Sequence, residues 1–349
     1  MSAQIGAIEV DEQALFAATA KYQQPDLRKA IWQVVNTLVP YVALWILMVY
    51  TIHTGISYWI TFLLAVVASG FLVRIFIFFH DCGHQSFFAS RKANTILGYI
   101  CGILTFTPFD DWTHSHGVHH ATAADLDRRG TGDVWTMTVE EYLAAPFRQR
   151  LAYRLVRNPL VTFILGPIGV FILNQRFPSK GANRRDVIGV IITDLAILAM
   201  IVTLSATIGF WTYVKIQLPI TIIGGGLGIW LFYVQHQFEG VYWARHEEWD
   251  RVRSALEGSS FYKLPKVLQW FTGNIGFHHV HHIRPRIPNY NLQRAHEEVP
   301  VFQSVKPITL KKSLKSLRMN LWDEDQQKLV SFRSLRARPR ASAAQHNPA

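Results

Sequence analysis

Two cysteines in 349 residues, Cys82 and Cys101, are too few for a disulfide framework or for the thiolate set of an iron–sulfur cluster. Charge is scarce as well. Charged residues make up 17% of the chain, against 50% apolar and 13% aromatic, and mean hydropathy is +0.13. These values are too apolar for an ordinary soluble chain and too polar for one sunk almost wholly in lipid, so a few spanning helices and a sizeable polar part are expected. No cleavable leader is visible. Residues 1–30 carry Glu9, Asp11, Glu12 and Asp26 and no early apolar stretch, so the first apolar run is expected to remain as an anchor. A flavin-binding glycine fingerprint and a cytochrome haem module are also missing, so any electrons this chain uses must come from a separate carrier.

What is present is basic and patterned. The formal net charge is +11 and the pI about 9.7. Lys and Arg flank the apolar runs, which points to the cytoplasmic face of a membrane and not to a nucleic-acid partner. Four runs, near 31–52, 56–79, 187–209 and 213–235, reach the roughly 20 residues that a bilayer core requires. The connectors "TIHTGIS" and "GFWTYVK" are short and hold one basic residue, Lys215. The expected fold is therefore an all-α integral membrane protein: four transmembrane helices in two hairpins, with both termini and a helical cap in the cytoplasm. Residues 1–30 form an N-terminal segment, 31–325 the main domain, and 326–349 a basic tail without fixed structure. Two shorter runs broken by Gly and Pro, 95–109 and 159–173, read as interfacial or buried. Arg74, inside the second span, reads as snorkelling to the interface.

The 15 histidines are clustered. "HDCGH" supplies His80 and His84, "HSHGVHH" supplies His116, His119 and His120, and "GFHHVHH" supplies His278, His281 and His282. His236 closes the fourth apolar run. On a helix, positions i, i+3 and i+4 share one face, so each set can aim its rings at a common point. With two hairpins and no other crossing, all four sets emerge on the same side of the membrane. Nine imidazoles without a thiolate are too many for one zinc and suit two first-row metals with open positions, iron foremost. Asp81, Asp110, Asp111 and Asp133 are candidates to orient the rings. Trp112, Trp270, Phe277 and Tyr233 are candidates to line a tunnel, with ordinary packing the commoner role for any one of them. His114 and His279 fall outside the spacing and are expected to hydrogen-bond neighbours. His246 reads as a surface or structural residue, and His53, His296 and His346 as unrelated to the site.

These boxes around two hairpins resemble the membrane-bound fatty acid desaturases. "HDCGHQSFF", "EGSSFYKLPKVLQWFTGNIGFHHVHH" and "RPRIPNYNL" are similar to the bacterial acyl-lipid members, over roughly residues 30–325. The resemblance implies a non-haem di-iron centre held by the nine histidines named above, dioxygen as co-substrate, an acyl-lipid substrate and a ferredoxin-like electron donor. It implies insertion of a double bond of the omega-6 (delta-12) or delta-5 type, in a bacterial inner membrane. A hydroxylase or ketolase on the same scaffold is the nearest competing reading. A metal transporter is more distant, because the spans are apolar apart from Arg74 and Asp194.

Overall fold

The computed structural model describes residues 2–5 and 8–337 and is mostly helical. Helix α1 (Glu12–Thr19) is followed by α2 (Leu27–His53), whose first turn is capped by the Asp26 carboxylate accepting from the Arg28 and Lys29 N–H groups. Then come α3 (Tyr58–Gly83), α4 (Arg91–Leu104), α5 (Phe109–Thr122), α6 (Val139–Ala144) and α7 (Phe147–Val156). The second half holds α8 (Arg184–Ile208), α9 (Phe210–His236), α10 (Arg251–Leu256), α11 (Lys266–Phe271), α12 (His278–Ile283) and α13 (Asn289–Glu298).

Helices α2, α3, α8 and α9 are long and apolar enough to cross a membrane, and they cover the four runs expected from sequence. Their burial differs. In the most apolar window of α2 and of α8 only 22% of residues are buried, against 61% for α3 and 50% for α9. Val39, Ile46, Leu195 and Leu198 are exposed on the outer pair, an apolar surface that suits lipid and would be a liability in water. The inner pair, α3 and α9, is held close by small residues. A Cβ on Gly224 would come 3.1 Å from the Leu72 side chain and 3.3 Å from the Ser69 carbonyl oxygen.

The two shorter apolar runs do not behave alike. Residues 95–109 fall on α4 and the turn into α5. Residues 161–176, wound partly with π-type turns, are bent 69° from α7, and the two pieces pass for a span only when counted as one. This segment is tied to α8 by an ion pair between Arg176 and Asp194. Arg74 departs from the snorkelling expectation. It is buried, donates to Thr37 Oγ1 at 3.0 Å and to the Trp270 carbonyl, and lies 4.1 Å from the centroid of the Trp270 ring. Acceptors on α2 and α11 satisfy it inside the protein, so it has no need to reach water.

The chain outside the long helices is not purely helical. Three short sheets pair Ser2–Ile5 with Ile8–Asp11, Phe261–Lys263 with Pro307–Thr309, and Met137–Thr138 with Leu321–Asp323, which in turn pairs with Lys328–Val330. The last pairing corrects the boundary at 325, which cuts a β-hairpin. Val330, Phe332 and Leu335 pack onto Met137, Tyr142 and Tyr153, so order continues past 325, and 338–349 lie outside the described residues. Likewise Val10, Leu15 and Tyr22 are buried against Val280, Ile283 and Leu292, so the N-terminal segment is part of the core beneath the third histidine box.

Candidate metal centre

The histidines sit where helices end. His80 lies in the last turn of α3 and His84 is its C-cap residue, while His236 is the last residue of α9. Helix α5 carries His116, His119 and His120, and α12 carries His278, His281 and His282 on one face. The entry into α12 is fixed by a close approach: the Tyr262 N–H donates to the Gly276 carbonyl at 2.7 Å, and a Cβ on Gly276 would stand 2.3 Å from the Tyr262 oxygen.

All nine sequence-predicted histidines converge, in two groups: His80, His84, His116, His120 and His281, and His119, His236, His278 and His282. Within each group one ring nitrogen per residue lies within 4.8 Å of every other. In the first, Nε2–Nε2 separations are 3.0 Å for His80–His281, 3.1 Å for His116–His120 and 2.9 Å for His120–His281. In the second they are 3.2 Å for His119–His236, 3.0 Å for His236–His278 and 3.1 Å for His278–His282.

The outward nitrogens decide what those separations mean. His119 Nδ1 meets the Asp133 carboxylate at 2.5 Å, and His236 Nδ1 meets the Gly258 carbonyl oxygen at 3.2 Å. Carboxylates and carbonyls only accept, so both rings carry a proton on Nδ1 and turn Nε2 inward. The facing Nε2 atoms are 3.2 Å apart, and as neutral rings they would oppose lone pairs unless a cation lay between them. His80 Nδ1 is likewise fixed by Asp81 Oδ1 at 3.0 Å, and His84 Nε2, buried in the first group, has no hydrogen-bond partner among the described residues. Donors bound at about 2.1 Å and at right angles would be about 3.0 Å apart, which the observed spacings match. Burial, with mutual repulsion second, holds the imidazoles of His116, His120, His278, His281 and His282 well below their ordinary 6.5, so they remain neutral donors. The residues fit two metal ions.

A cavity of about 650 Å³ opens onto the groups through His80, His116 and His278. Its wall is chiefly apolar, drawn from α3, α9 and the 161–171 segment, with Leu72 and Thr221 at its deep end. Along α9 the lining runs from Thr221 to Gln235, 14 residues, or about 21 Å of helix. Trp112 and Tyr233 line it, and Trp112 stacks on His116 with ring centroids 4.3 Å apart. Trp270 and Phe277 do not, being engaged with Arg74 and with Phe261 and His296.

Two of the four candidate carboxylates touch the histidines. Asp110 instead accepts from Tyr99 and pairs with Arg185, and Asp111 accepts from Ser179, because both sit in the first turn of α5 and face α4 and the 174–183 connection. His114 bonds Asp186 at 2.6 Å and His279 bonds His296 at 3.1 Å, so His296 has a spatial partner that sequence did not reveal. His246 bonds Asp125 at 2.8 Å, and His53 bonds the Ile208 carbonyl at 3.2 Å, at the far ends of α2 and α8. His346 lies outside the described residues. Sequence reasoning missed Asn289, whose backbone N–H and side-chain amide both donate to Asp81 Oδ2, at 2.7 and 2.9 Å. Its signal was the "RPRIPNYNL" stretch, which holds α13 against the first box.

Four apolar helices topped by nine converging imidazoles define a membrane protein with buried histidine clusters able to hold metal. The family model for fatty acid desaturases matches residues 57–304, and the chain belongs to that family. It is an oxygen-dependent oxidoreductase of the membrane. The chain is 49% identical over 328 residues to a fatty acid desaturase of Bacillus subtilis, covering 94% of this chain and 93% of that one. It is 28% identical over 228 residues to an sn-1 oleoyl-lipid 12-desaturase of Synechocystis, with 64% of each chain covered. An sn-1 acyl-lipid omega-3 desaturase (ferredoxin) of Nostoc is 24% identical over 318 residues, 88% of this chain and 84% of that one.

Proposed function

We propose that the protein inserts a double bond into a lipid-linked acyl chain, of the delta-12 (omega-6) or delta-5 type, using dioxygen and two electrons at a non-haem di-iron centre. The inward-facing Nε2 atoms of His119 and His236 carry this reading, together with the apolar cavity that opens onto His80, His116 and His278. In this proposal, His80, His84, His116, His120 and His281 hold one iron, and His119, His236, His278 and His282 the other. When bound, the irons supply the dioxygen chemistry that removes two hydrogens from adjacent methylenes, which acid–base residues alone cannot do.

The chain's own residues do the rest. Asp81, Asp133 and the Gly258 carbonyl keep protons on Nδ1 and thereby aim Nε2 inward. The stack of Trp112 on His116 fixes that ring beside the cavity wall. The apolar lining excludes water and holds an acyl chain extended along α9. Two hairpins with the histidine cap and both termini in the cytoplasm of a bacterial cell would present the centre to a ferredoxin-like donor. The basic surface favours an acidic carrier, and relatives named for ferredoxin support that choice.

The test is to reconstitute the full chain in lipid with iron, a reduced ferredoxin and oxygen, and to locate double bonds in the product by mass spectrometry. The expected result is two irons per chain and a new oxygen-dependent double bond. A hydroxylated chain would transfer the protein to the sister oxygenases. Failure of the iron-loaded, reduced protein to alter any acyl chain would refute the reading.

A further inference from the structure

Among the described residues two buried arginines, Arg74 and Arg157, belong to no ion pair, and of the two only Arg157 lines the cavity. Arg157, the C-cap of α7, is 5% exposed. Its Nε donates to Tyr153 Oη at 3.2 Å, Nη1 to Tyr233 Oη at 3.0 Å and Gln237 Oε1 at 3.2 Å, and Nη2 to Thr136 Oγ1 at 3.0 Å. Every partner is neutral. The hydroxyls direct their own protons away, Tyr153 to the Asn320 carbonyl, Tyr233 to that of Ser316 and Thr136 to that of Val134. Among the described residues no carboxylate pairs with Arg157, so a desolvated positive charge stands without an anion, an arrangement that proteins ordinarily avoid. A guanidinium has five N–H donors, and the contacts above use four, leaving one on Nη2.

Arg157 lines the cavity. Around it the lining is Asp133, Val134, Trp135 and Val156, with Trp135 39% and Val156 45% exposed, so the cavity reaches the surface at this end. The opposite end, at Leu72 and Thr221, lies deep between the inner helices. A molecule with one polar end and a long apolar tail therefore fits tail inward with its polar end at Arg157. The position is also rigidly referred to the metal centre. Gln237, one Arg157 partner, follows His236 directly, and Thr136, another, is three residues beyond Asp133, the acceptor of His119.

We propose that Arg157 holds the polar end of the acyl substrate, its free Nη2–H and its charge receiving an ester carbonyl or phosphate oxygen at the head of the chain. It is thus a positioning residue that selects which methylenes reach the histidines. This rests on the desaturase reading above. The source of the oxygen is separable by substrate, because a phospholipid offers both kinds and an uncharged glycolipid with the same acyl chains only the ester.

The experiment compares the wild-type chain with R157Q and R157K, all full-length, iron-loaded and in lipid. Wild type without an oxygen-dependent double bond removes the underlying reading, whatever the variants do. Given an active wild type, R157Q is expected to keep its iron and raise KM for the lipid by about tenfold or more. Its product should also spread over several double-bond positions. R157K, which keeps the charge, is expected to recover part of the KM and the single position. A penalty with both lipids assigns the ester oxygen, and one confined to phospholipid assigns the phosphate. An R157Q variant with wild-type KM and a single double-bond position overturns the proposal. So does loss of iron in both variants, which would make Arg157 a strut for Tyr233 and Gln237.

Discussion

Asp81→Asn isolates the orienting role of a carboxylate with almost no change in shape. Asp81 is buried, with Oδ1 accepting from His80 Nδ1 at 3.0 Å and Oδ2 from both donors of Asn289. Asparagine offers one oxygen and one NH₂ in place of two oxygens. If its oxygen faces Asn289, the NH₂ opposes His80 Nδ1–H, and relief comes only by moving the ring proton to Nε2, which removes a donor from the first group. If the oxygen faces His80, the Asn289 backbone N–H, which cannot turn away, loses its acceptor. A buried donor left unpaired costs about 1–3 kcal/mol. Loss of an outer partner of a metal-bound histidine typically costs about 10- to 100-fold in metal affinity, or about 1.4–2.8 kcal/mol. The two routes give the same magnitude. The assay is iron retained per folded chain across a chelator titration, with His80→Ala as the lower bound. The midpoint should fall by about one to two decades of chelator. A folded Asn variant that holds iron as firmly as wild type would refute the argument that Asp81 fixes the His80 tautomer.

Removal of a ligand should be harsher: His281→Ala is expected to lose both iron and product while still inserting in the membrane, read by metal analysis and lipid profiling. His279→Asn, on the opposite face of α12, should keep its iron, and its loss of iron equal to His281→Ala would mean that the two faces are misassigned. Gly228→Leu places a side chain where an added Cβ meets nothing within 4 Å, on the cavity wall. It should shift product toward shorter acyl chains without loss of iron, and an unchanged chain-length profile in gas chromatography would place the acyl chain elsewhere. Arg74→Met leaves the Trp270 carbonyl and Thr37 without their donor, and should destabilise the folded protein by about 1–3 kcal/mol in thermal or chemical unfolding. Unchanged stability would show that Met packing fully replaces those bonds.

Much of this was written in local patterns. The spans follow from runs of apolar residues, which lipid requires whatever the tertiary fold, so α2, α3, α8 and α9 were placed within a few residues. The histidines follow from helical periodicity, and even His236, alone at the end of α9, falls in the second group. What periodicity does not carry is the choice among possible partners. Asp110 and Asp111 look as suitable as Asp81 on paper, but the start of α5 turns them toward Tyr99, Arg185 and Ser179. Arg74 has the sequence of a snorkelling residue, and only the approach of α11 gives it an internal acceptor. The boundary at 325 failed because the strand pairing of Leu321–Asp323 with Lys328–Val330 closes a hairpin whose six residues are too few for alternation to stand out.

The division between outer and inner helices joins the membrane and the chemistry. Helices α2 and α8 present apolar side chains outward and contribute no histidine to either group, whereas of the more buried pair α3 ends in His80 and its C-cap His84 and α9 ends in His236. A histidine at the end of a span lies at the edge of the hydrocarbon layer, where a polar ring costs little and an acyl chain already resides. The same two helices line the cavity, so the depth of the cavity and the position of these histidines are set by one pair of rods. Glycines on α9 let that pair approach: Gly224 faces α3, while a Cβ on Gly226 would strike the Phe163 carbonyl at 2.4 Å. Bulk at Gly226 should therefore push the 161–171 wall away from α9 and misplace the substrate before it disturbs the metal. Gly226→Val is accordingly expected to retain its iron yet lose product, a separation of binding from metal content that a purely local role for the histidine boxes would not give.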